Sequence, residues 1–167
     1  MLKYINIIIV ILTCLSILND NESKSNRNNL LFCQERQYEI DDVFFYMYEQ
    51  YNQSDRFVGI VIPTEGIYFD SEGYLSNDSV SGFCVFLGVY SYRKGEVASG
   101  IYKSDNKTLD IDECYMLEKY SDVMLFTAGD LTIKYNENIC FIHFEGVLVN
   151  GERVTVNWRG EPILYIR

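Results

Sequence analysis

The sequence predicts an all-β fold: an antiparallel β-sandwich of about 8–10 strands, with a small β-barrel as the alternative, after an N-terminal signal segment. Two observations support this prediction. Short segments rich in Val, Ile, Phe and Tyr alternate apolar with polar residues, which is the period of a half-buried strand. Clusters of Gly, Asn, Asp and Ser separate these segments, and the only prolines are Pro63 and Pro162.

The candidate strands follow along the chain, each identified by this alternation. They are Tyr38–Tyr48, Phe57–Ile62, Ile67–Phe69, Gly82–Tyr90, Gly100–Tyr102, Asp112–Leu117, Asp130–Tyr135, Cys140–Leu148, Glu152–Trp158 and Ile163–Ile166. In Val43–Tyr51 the aromatic residues do not alternate cleanly with polar ones, so a short helix is the alternative for that segment.

Two hairpins are predicted near the C-terminus. Thr132–Tyr135 and Ile139–Phe144 flank the polar turn Asn136–Asn138. The second turn is Val149-Asn150-Gly151-Glu152, where Asn-Gly suits a type I′ turn because both residues tolerate positive φ.

Residues 1–18 have the features of a lipoprotein-type signal segment. Lys3 supplies a positive charge, and the apolar run Tyr4–Leu12 is too short to span a bilayer. Ile11-Leu12-Thr13-Cys14 resembles a bacterial lipobox, which predicts lipidation of Cys14 and a membrane anchor. Cleavage after Ser16 is the alternative, and it would give a soluble periplasmic or secreted protein.

Residues 19–29 (NDNESKSNRNN) contain no apolar side chain and are expected to form a flexible polar tether. Residues 30–167 contain no linker or low-complexity run, so they are expected to form a single β domain. The 14 Lys and Arg against 24 Asp and Glu give a formal charge of −10, and nucleic acid is therefore excluded as an expected partner.

Several spacings resemble those of small, uncharacterised exported lipoproteins of Bacteroidota. The residues that carry the resemblance are Phe45-Tyr46-Met47-Tyr48 before a strand, the glycine-bearing strand Gly82–Val89, Gly100-Ile101-Tyr102, Gly129–Ile133, Asn150-Gly151 and Trp158-Arg159-Gly160. The resemblance implies an all-β fold in an exported envelope protein. It implies no catalytic residues.

His143 is the only histidine, and alternation places it on the opposite strand face from Cys140, Ile142 and Phe144. If those three residues face the core, His143 lies at the surface. We therefore expect neither a catalytic histidine nor a metal site, because a single histidine and dispersed cysteines lack the ligand spacing of zinc sites.

Two alternatives are open for Cys33, Cys84, Cys114 and Cys140. An oxidising envelope would allow up to two disulfides among them, with three connectivities for four bonded cysteines. Cysteine is also a small core hydrophobe, and Cys84 and Cys140 lie within apolar strands.

The aromatic content, with 14 Tyr, 10 Phe and one Trp, is the feature that favours ligand binding. The candidate ligand-binding residues are Trp158, Tyr90 and Tyr92. The acidic clusters Asp41-Asp42, Asp70 with Glu72, and Asp110 to Glu113 are expected to be solvated loop charges, although glycoside hydrolysis also uses paired carboxylates.

These features together predict a non-catalytic, exported cell-envelope lipoprotein. Its partners would be the membrane, through a lipid anchor at Cys14, and a glycan or protein ligand held by exposed aromatic residues. No cofactor is expected. The alternatives are a structural or assembly component of the envelope and a hydrolase that uses paired carboxylates.

Overall fold

The computed structural model describes residues 29–47, 57–65, 67, 82–91, 97–118 and 123–166. Within these ranges all regular structure is β-strand, which confirms the all-β prediction. No helix of the described residues is long and apolar enough to cross a membrane. The predicted signal segment, Cys14 and residues 19–28 of the predicted tether lie outside these ranges.

Eleven strands are present in the described residues: β1 Leu30–Cys33, β2 Arg36–Glu39, β3 Phe44–Met47, β4 Phe57–Pro63, β5 Phe83–Tyr90, β6 Gly100–Lys103, β7 Leu109–Glu118, β8 Val123–Asn136, β9 Ile139–Leu148, β10 Arg153–Gly160 and β11 Ile163–Ile166. Most match the predicted strands. The predicted strand Ile67–Phe69 is wrong at Ile67, which is not in a strand, and residues 68 and 69 lie outside the described ranges. The predicted strand Tyr38–Tyr48 is instead split between β2 and β3, and β1 was not predicted. The alternative helix over Val43–Tyr51 is wrong for Phe44–Met47, while residues 48–51 lie outside the described ranges.

The strands form one open, curled sheet, a half-barrel, in the order β11-β3-β4-β5-β7-β8-β9-β10-β1-β2, with β6 added beside β8. All neighbours are antiparallel except β11 and β3. A β-sandwich is not confirmed, and the half-barrel is open where the alternative barrel would close.

The long strand β8 joins the two halves of this sheet. Its first residues pair with β7, and Phe126–Asn136 pair with β9. We call β11, β3, β4, β5, β7 and the start of β8 the β5 half. The β9 half contains the rest of β8 with β6, β9, β10, β1 and β2.

The inner face of the curled sheet carries the main hydrophobic core. Side chains from both halves meet there, among them Phe45, Ile60, Leu87, Met116, Leu131, Ile133, Phe144, Val156 and Trp158. On β9 the core side chains are Cys140, Ile142 and Phe144, as the sequence alternation predicted. His143 is therefore on the outer face, which confirms its predicted surface position.

The outer faces of the two halves differ. In the β9 half the outer face is mainly polar, as expected of an antiparallel sheet with one solvated side. In the β5 half a second apolar cluster lies on the outer face, formed by Phe44, Tyr46, Val61 and Cys84. The reason is visible in β4 and β5, whose sequences FVGIVIP and FCVFLGVY are apolar at nearly every position.

The turn between β9 and β10 departs from the predicted type I′ geometry. Gly151 has a φ of +83°, but Asn150 is not among the residues with positive φ. The Gly151 amide donates to the Leu148 carbonyl, and the Leu148 amide donates to the Glu152 carbonyl, both at 2.8 Å. This is a three-residue loop, a type I turn followed by a left-handed glycine.

Asn29 belongs to the domain and corrects the predicted tether by one residue. Its side chain is buried; its Nδ2 donates to the Arg159 carbonyl at 3.1 Å, and its Oδ1 accepts from the Arg159 amide at 2.7 Å. The carbonyl of Asn29 also accepts from the Ile40 amide at 2.9 Å. These bonds fix the start of β1 against the end of β10.

Candidate binding surface

Trp158 is not at the surface, so its predicted position as a ligand-facing ring is wrong. The side chain is 4% exposed and lies on the inner face of β10. Its Nε1 donates to the Asp41 carbonyl at 3.4 Å, and a Cβ built on Gly160 would lie 2.6 Å from its ring. The only tryptophan thus fills core space that a glycine leaves open.

Tyr90 is exposed, at the end of β5 on the outer face of the β5 half. Its hydroxyl donates to the Asp110 carboxylate at 3.2 Å, and its ring meets Phe57 edge-on at a centroid distance of 5.5 Å. Tyr92, the third candidate, lies outside the described residues. Tyr90 and Trp158 point to opposite faces of the curled sheet, so they do not form one site.

His143 lies in the middle of the polar outer face of β9. Its Nδ1 is 2.8 Å from Asn157 Oδ1, and its Nε2 is 3.4 Å from Glu145 Oε1. Thr132 is its cross-strand neighbour on the other side. Both ring nitrogens thus have polar partners within the sheet, which matches the surface pairing role expected from the sequence.

The four described cysteines are free and buried. The structure therefore agrees with the alternative in which they are small core hydrophobes, and it contains no disulfide among these four. Strand geometry gives the reason for Cys84 and Cys114, which lie on neighbouring strands. Cys84 is opposite Leu117, so Cys114 lies three residues further along β7, about 10 Å away. A disulfide needs Cα atoms within about 7 Å of each other. Cys84 also belongs to the outer cluster, whereas Cys114 belongs to the inner core.

Burial makes these thiols poor nucleophiles. It raises the pKa of Cys140 to about 11 and that of Cys114 to about 12. The pKa of Cys33 is also raised to about 12, first by burial and then by the neighbouring Glu152 carboxylate, to which the thiol donates at 3.4 Å. The pKa of Cys84 is raised still further by burial alone. A thiolate nucleophile is therefore strongly disfavoured at these four positions near neutral pH.

The acidic residues were predicted to be solvated loop charges, and Asp41 and Asp42 are exposed and lie outside the strands. The prediction of a loop is wrong for Asp110, Asp112 and Glu113, which lie in β7; Asp112 and Glu113 are exposed there, and Asp110 is partly buried beside Tyr90. Asp70 and Glu72 lie outside the described ranges. In the described part of the chain no three His, Cys, Asp or Glu side chains are grouped so that they could hold a metal ion.

An exposed apolar surface lies where β7 and β8 pair on the outer face of the β5 half. Tyr115 is directly opposite Leu125, and Leu117 is directly opposite Val123. Cys114, Met116 and Met124 point to the inner core, so alternation directs these four side chains outward. Val149 adjoins them, because its amide donates to the Leu125 carbonyl at 2.9 Å. We call Tyr115, Leu117, Val123, Leu125 and Val149 the outer apolar patch.

The aliphatic members of this patch on β8 and after β9 are highly exposed. Val123 is 55%, Leu125 51% and Val149 69% exposed, whereas Tyr115 and Leu117 are partly buried. Single exposed apolar residues are ordinary on protein surfaces, but neighbouring ones mark a binding site more often. The apolar surface continues along the outer face to β5, since Tyr115 stacks on Phe86 with ring centroids 4.6 Å apart and an interplanar angle of 17°.

A carboxylate borders the patch on β7. Glu113 is exposed, and its Cβ lies 2.7 Å from where a Cβ on Gly88 would be, which places it on the same outer face as Phe86. The chain as a whole carries a formal charge of −10. A ligand that combines apolar side chains with a positive charge would therefore match this surface.

Sequence reasoning missed this patch because it relied on aromatic rings as the mark of a binding site. The available signal was the pair of segments Tyr115–Leu117 and Val123–Leu125, in which three consecutive apolar residues interrupt the apolar–polar alternation. Comparisons with protein-family models, curated proteins and solved structures found no match for the chain.

Proposed function

We propose that this protein is a non-catalytic binding protein of the cell envelope, exported and held at the membrane by a lipid on Cys14. Its ligand is an apolar segment of another protein, bound at the outer apolar patch. The observation that supports this function is the contiguous exposure of Val123, Leu125 and Val149 beside the partly buried Tyr115. The resemblance to Bacteroidota lipoproteins and the lipobox-like Ile11–Cys14 agree with the envelope location.

A protein ligand is favoured over a glycan by the chemistry of the patch. Sugar rings stack on exposed aromatic faces, but Trp158, the ring predicted for that role, is buried, and the exposed Tyr90 is not part of the patch. The exposed side chains of the patch are aliphatic and bind apolar side chains by excluding water. Glu113 at its border favours ligands with a lysine or arginine next to the apolar residues.

A random-peptide display library selected on the purified protein tests this function. We expect enriched peptides that combine apolar residues with a positive charge and that bind Leu125→Glu at least about tenfold more weakly, since a buried unpaired carboxylate costs over about 1.4 kcal/mol. The matched control is Ile101→Glu, at a side chain 54% exposed on the polar outer face of the β9 half.

Equal loss of peptide binding in both variants would contradict the proposal, because the effect would then not belong to the patch. Enrichment of no peptides would also contradict it. The same variants on a glycan array separate the two ligand classes: glycan binding that Leu125→Glu leaves unchanged would place the ligand site elsewhere and would favour a sugar ligand. Thermal unfolding of each variant checks that it remains folded.

A further inference from the structure

Two positively charged side chains flank an aromatic ring on the outer face of the β9 half. Phe141 of β9 is directly opposite Arg159 of β10 on one side and Lys134 of β8 on the other. Residues directly opposite in antiparallel strands share a face of the sheet. Because Ile142 points into the core, Phe141 and its two neighbours point outward. We call Arg159, Phe141 and Lys134 the cationic row.

The guanidinium of Arg159 is held in place over the Phe141 ring. Its Cζ lies 5.1 Å from the ring centroid, within the range of a cation–π interaction. The Arg159 backbone is fixed as well, because the Asn29 side chain bonds to both its amide and its carbonyl. A stacked guanidinium directs its N–H groups outward from its edges, where they can donate to a ligand. The side chain is therefore ordered before a ligand binds, which lowers the entropic cost of binding.

The cationic row forms no ion pair with any described residue. Both of its cations are exposed, and the carboxylates that lie close to them in the chain, Glu137 and Glu161, form no salt bridge with either. Lys103, on the same outer face, differs in this respect, because its Nζ lies 3.6 Å from an Asp130 carboxylate oxygen. The row thus places two positive charges on either side of one ring in a chain whose formal charge is −10.

We propose that the cationic row binds the phosphate group of a phosphate monoester. Arg159 and Lys134 are two strand spacings apart, about 10 Å between their Cα atoms, so both long side chains can reach one group above Phe141. A phosphate monoester has a charge of about −1.5 to −2 at neutral pH, so a single group can pair with both cations. Its oxygens also match the bidentate fork of the guanidinium. A carboxylate has one negative charge and balances only one of the two cations.

The charges around the cationic row favour a single phosphate group over a polyanion. Along the strands the first carboxylates on the same face are Glu145 and Asp130, four residues from the row, which corresponds to about 13 Å. A nucleic-acid backbone would extend over these carboxylates and be repelled by the acidic chain, whereas one ester group would not. The ester can be a soluble metabolite or a lipid headgroup. The inference does not depend on the proposed function, since the cationic row and the outer apolar patch lie on different halves of the sheet.

Titration of the purified full-length chain with glycerol phosphate, followed by NMR shifts of the backbone amides, tests the site. We expect the shifts to centre on the cationic row, and Arg159→Gln and Lys134→Gln each to weaken binding at least about fivefold. Arg159→Lys keeps the charge but loses the fork, so its effect should be intermediate. The matched control is Arg153→Gln, which removes the same charge from the same outer face of β10, six residues away, and should weaken binding by less than about twofold.

Lipid bicelles separate the two sources of the ester. The chain is reconstituted in phosphatidylcholine bicelles with and without phosphatidic acid, whose headgroup is also a phosphate monoester. Phosphatidic acid that shifts the amides of the cationic row in the wild type and in Arg153→Gln, but not in Arg159→Gln, would assign the phosphate to a lipid. Shifts with glycerol phosphate alone would assign it to a soluble ester. Every variant has the same N-terminal segment, so membrane binding through that segment is equal in all of them.

Acetate at the same ionic strength is the control ligand, and we expect it to bind at least about fivefold more weakly than glycerol phosphate. Equal binding of the two, equal weakening in Arg159→Gln and Arg153→Gln, or no shift at the cationic row with either source would overturn the proposal. Thermal unfolding shows whether Arg159→Gln is folded, and Lys134→Gln tests the same site at a side chain without packing partners to lose. Arg159→Gln should still bind peptides selected at the outer apolar patch, so failure of one proposal leaves the other intact.

Discussion

Two glycines in strands leave room for large aromatic rings of the core. The Trp158 ring occupies the space over Gly160, and Phe144 and Phe126 likewise lie against Gly146, where a Cβ would approach both rings within 3 Å. Glycine in a strand has a conformational cost, which these sites recover through aromatic packing. The aromatic residues that made ligand binding attractive in the sequence thus serve partly as core.

The buried thiols give a prediction about individual residues. A pKa raised on folding favours the protonated thiol, so the stability that these groups contribute is fully present below pH 9 and is lost as the pH rises towards 11 to 12. We expect the urea midpoint to fall between pH 9 and pH 11, and to fall less in Cys140→Ala than in the wild type.

Thiol labelling checks the same burial independently. At pH 7.5 a maleimide should modify Cys33, Cys84, Cys114 and Cys140 only after unfolding. Rapid labelling of any of these four thiols in the folded protein would contradict their burial. A midpoint that rises with pH above 9 would contradict the direction of the pKa shifts.

Among the elements, turns and strands differ in how well the sequence predicts them. β11 has the predicted bounds, and β4, β5, β9 and β10 differ from prediction by one or two residues at their ends. β1 was missed because LLFC shows little alternation and its polar neighbours were assigned to the tether. Its pairing with both β2 and β10 supplies the stabilisation that the local sequence does not reveal.

The left-handed glycine of the β9–β10 turn gives a prediction for an element. A Cβ at Gly151 would meet nothing within 4 Å, so the effect of a substitution is conformational. At φ +83° we expect Gly151→Ala to lower the free energy of unfolding by about 1–2 kcal/mol, and Gly151→Asn by less, because Asn tolerates this region. Urea denaturation measures both, and equal losses would argue against a backbone cause.

The candidate site could be predicted from the sequence only in part. Alternation placed His143 on the surface correctly, because β9 follows a regular period of two. It could not show which half of the sheet has an apolar outer face, since that depends on which strands are neighbours. The outer apolar patch is built from β7, β8 and the residue after β9, which meet only through the sheet order.

At the scale of the whole molecule, the outer apolar patch and the start of β1 lie at different ends. Asn29 is bonded to Arg159 at the end of β10, whereas Val149 precedes the start of β10 at Arg153. The six residue steps between Arg153 and Arg159 correspond to about 20 Å along the strand. The outer apolar patch thus lies about one strand length away from Asn29, where the described part of the chain begins.

Lipidation of Cys14 is the prediction that concerns the whole molecule. We expect cells that express the protein to incorporate a radioactive fatty acid into it, and Cys14→Ser to abolish the label. A single acyl chain binds membranes weakly, whereas several chains on one terminus hold a protein stably. Label that persists in the Cys14→Ser variant would show that the anchor is not at Cys14, and an unlabelled wild type would favour cleavage after Ser16.

The two hydrogen bonds between the Asn29 side chain and the Arg159 backbone have a mechanical consequence. A force applied between Asn29 and the Val149 end runs along β1 and β10, from one end of the strands to the other. The backbone hydrogen bonds between these strands run perpendicular to that direction. They are therefore loaded together in shear and not peeled apart one at a time, so this end of the sheet is suited to bear tension.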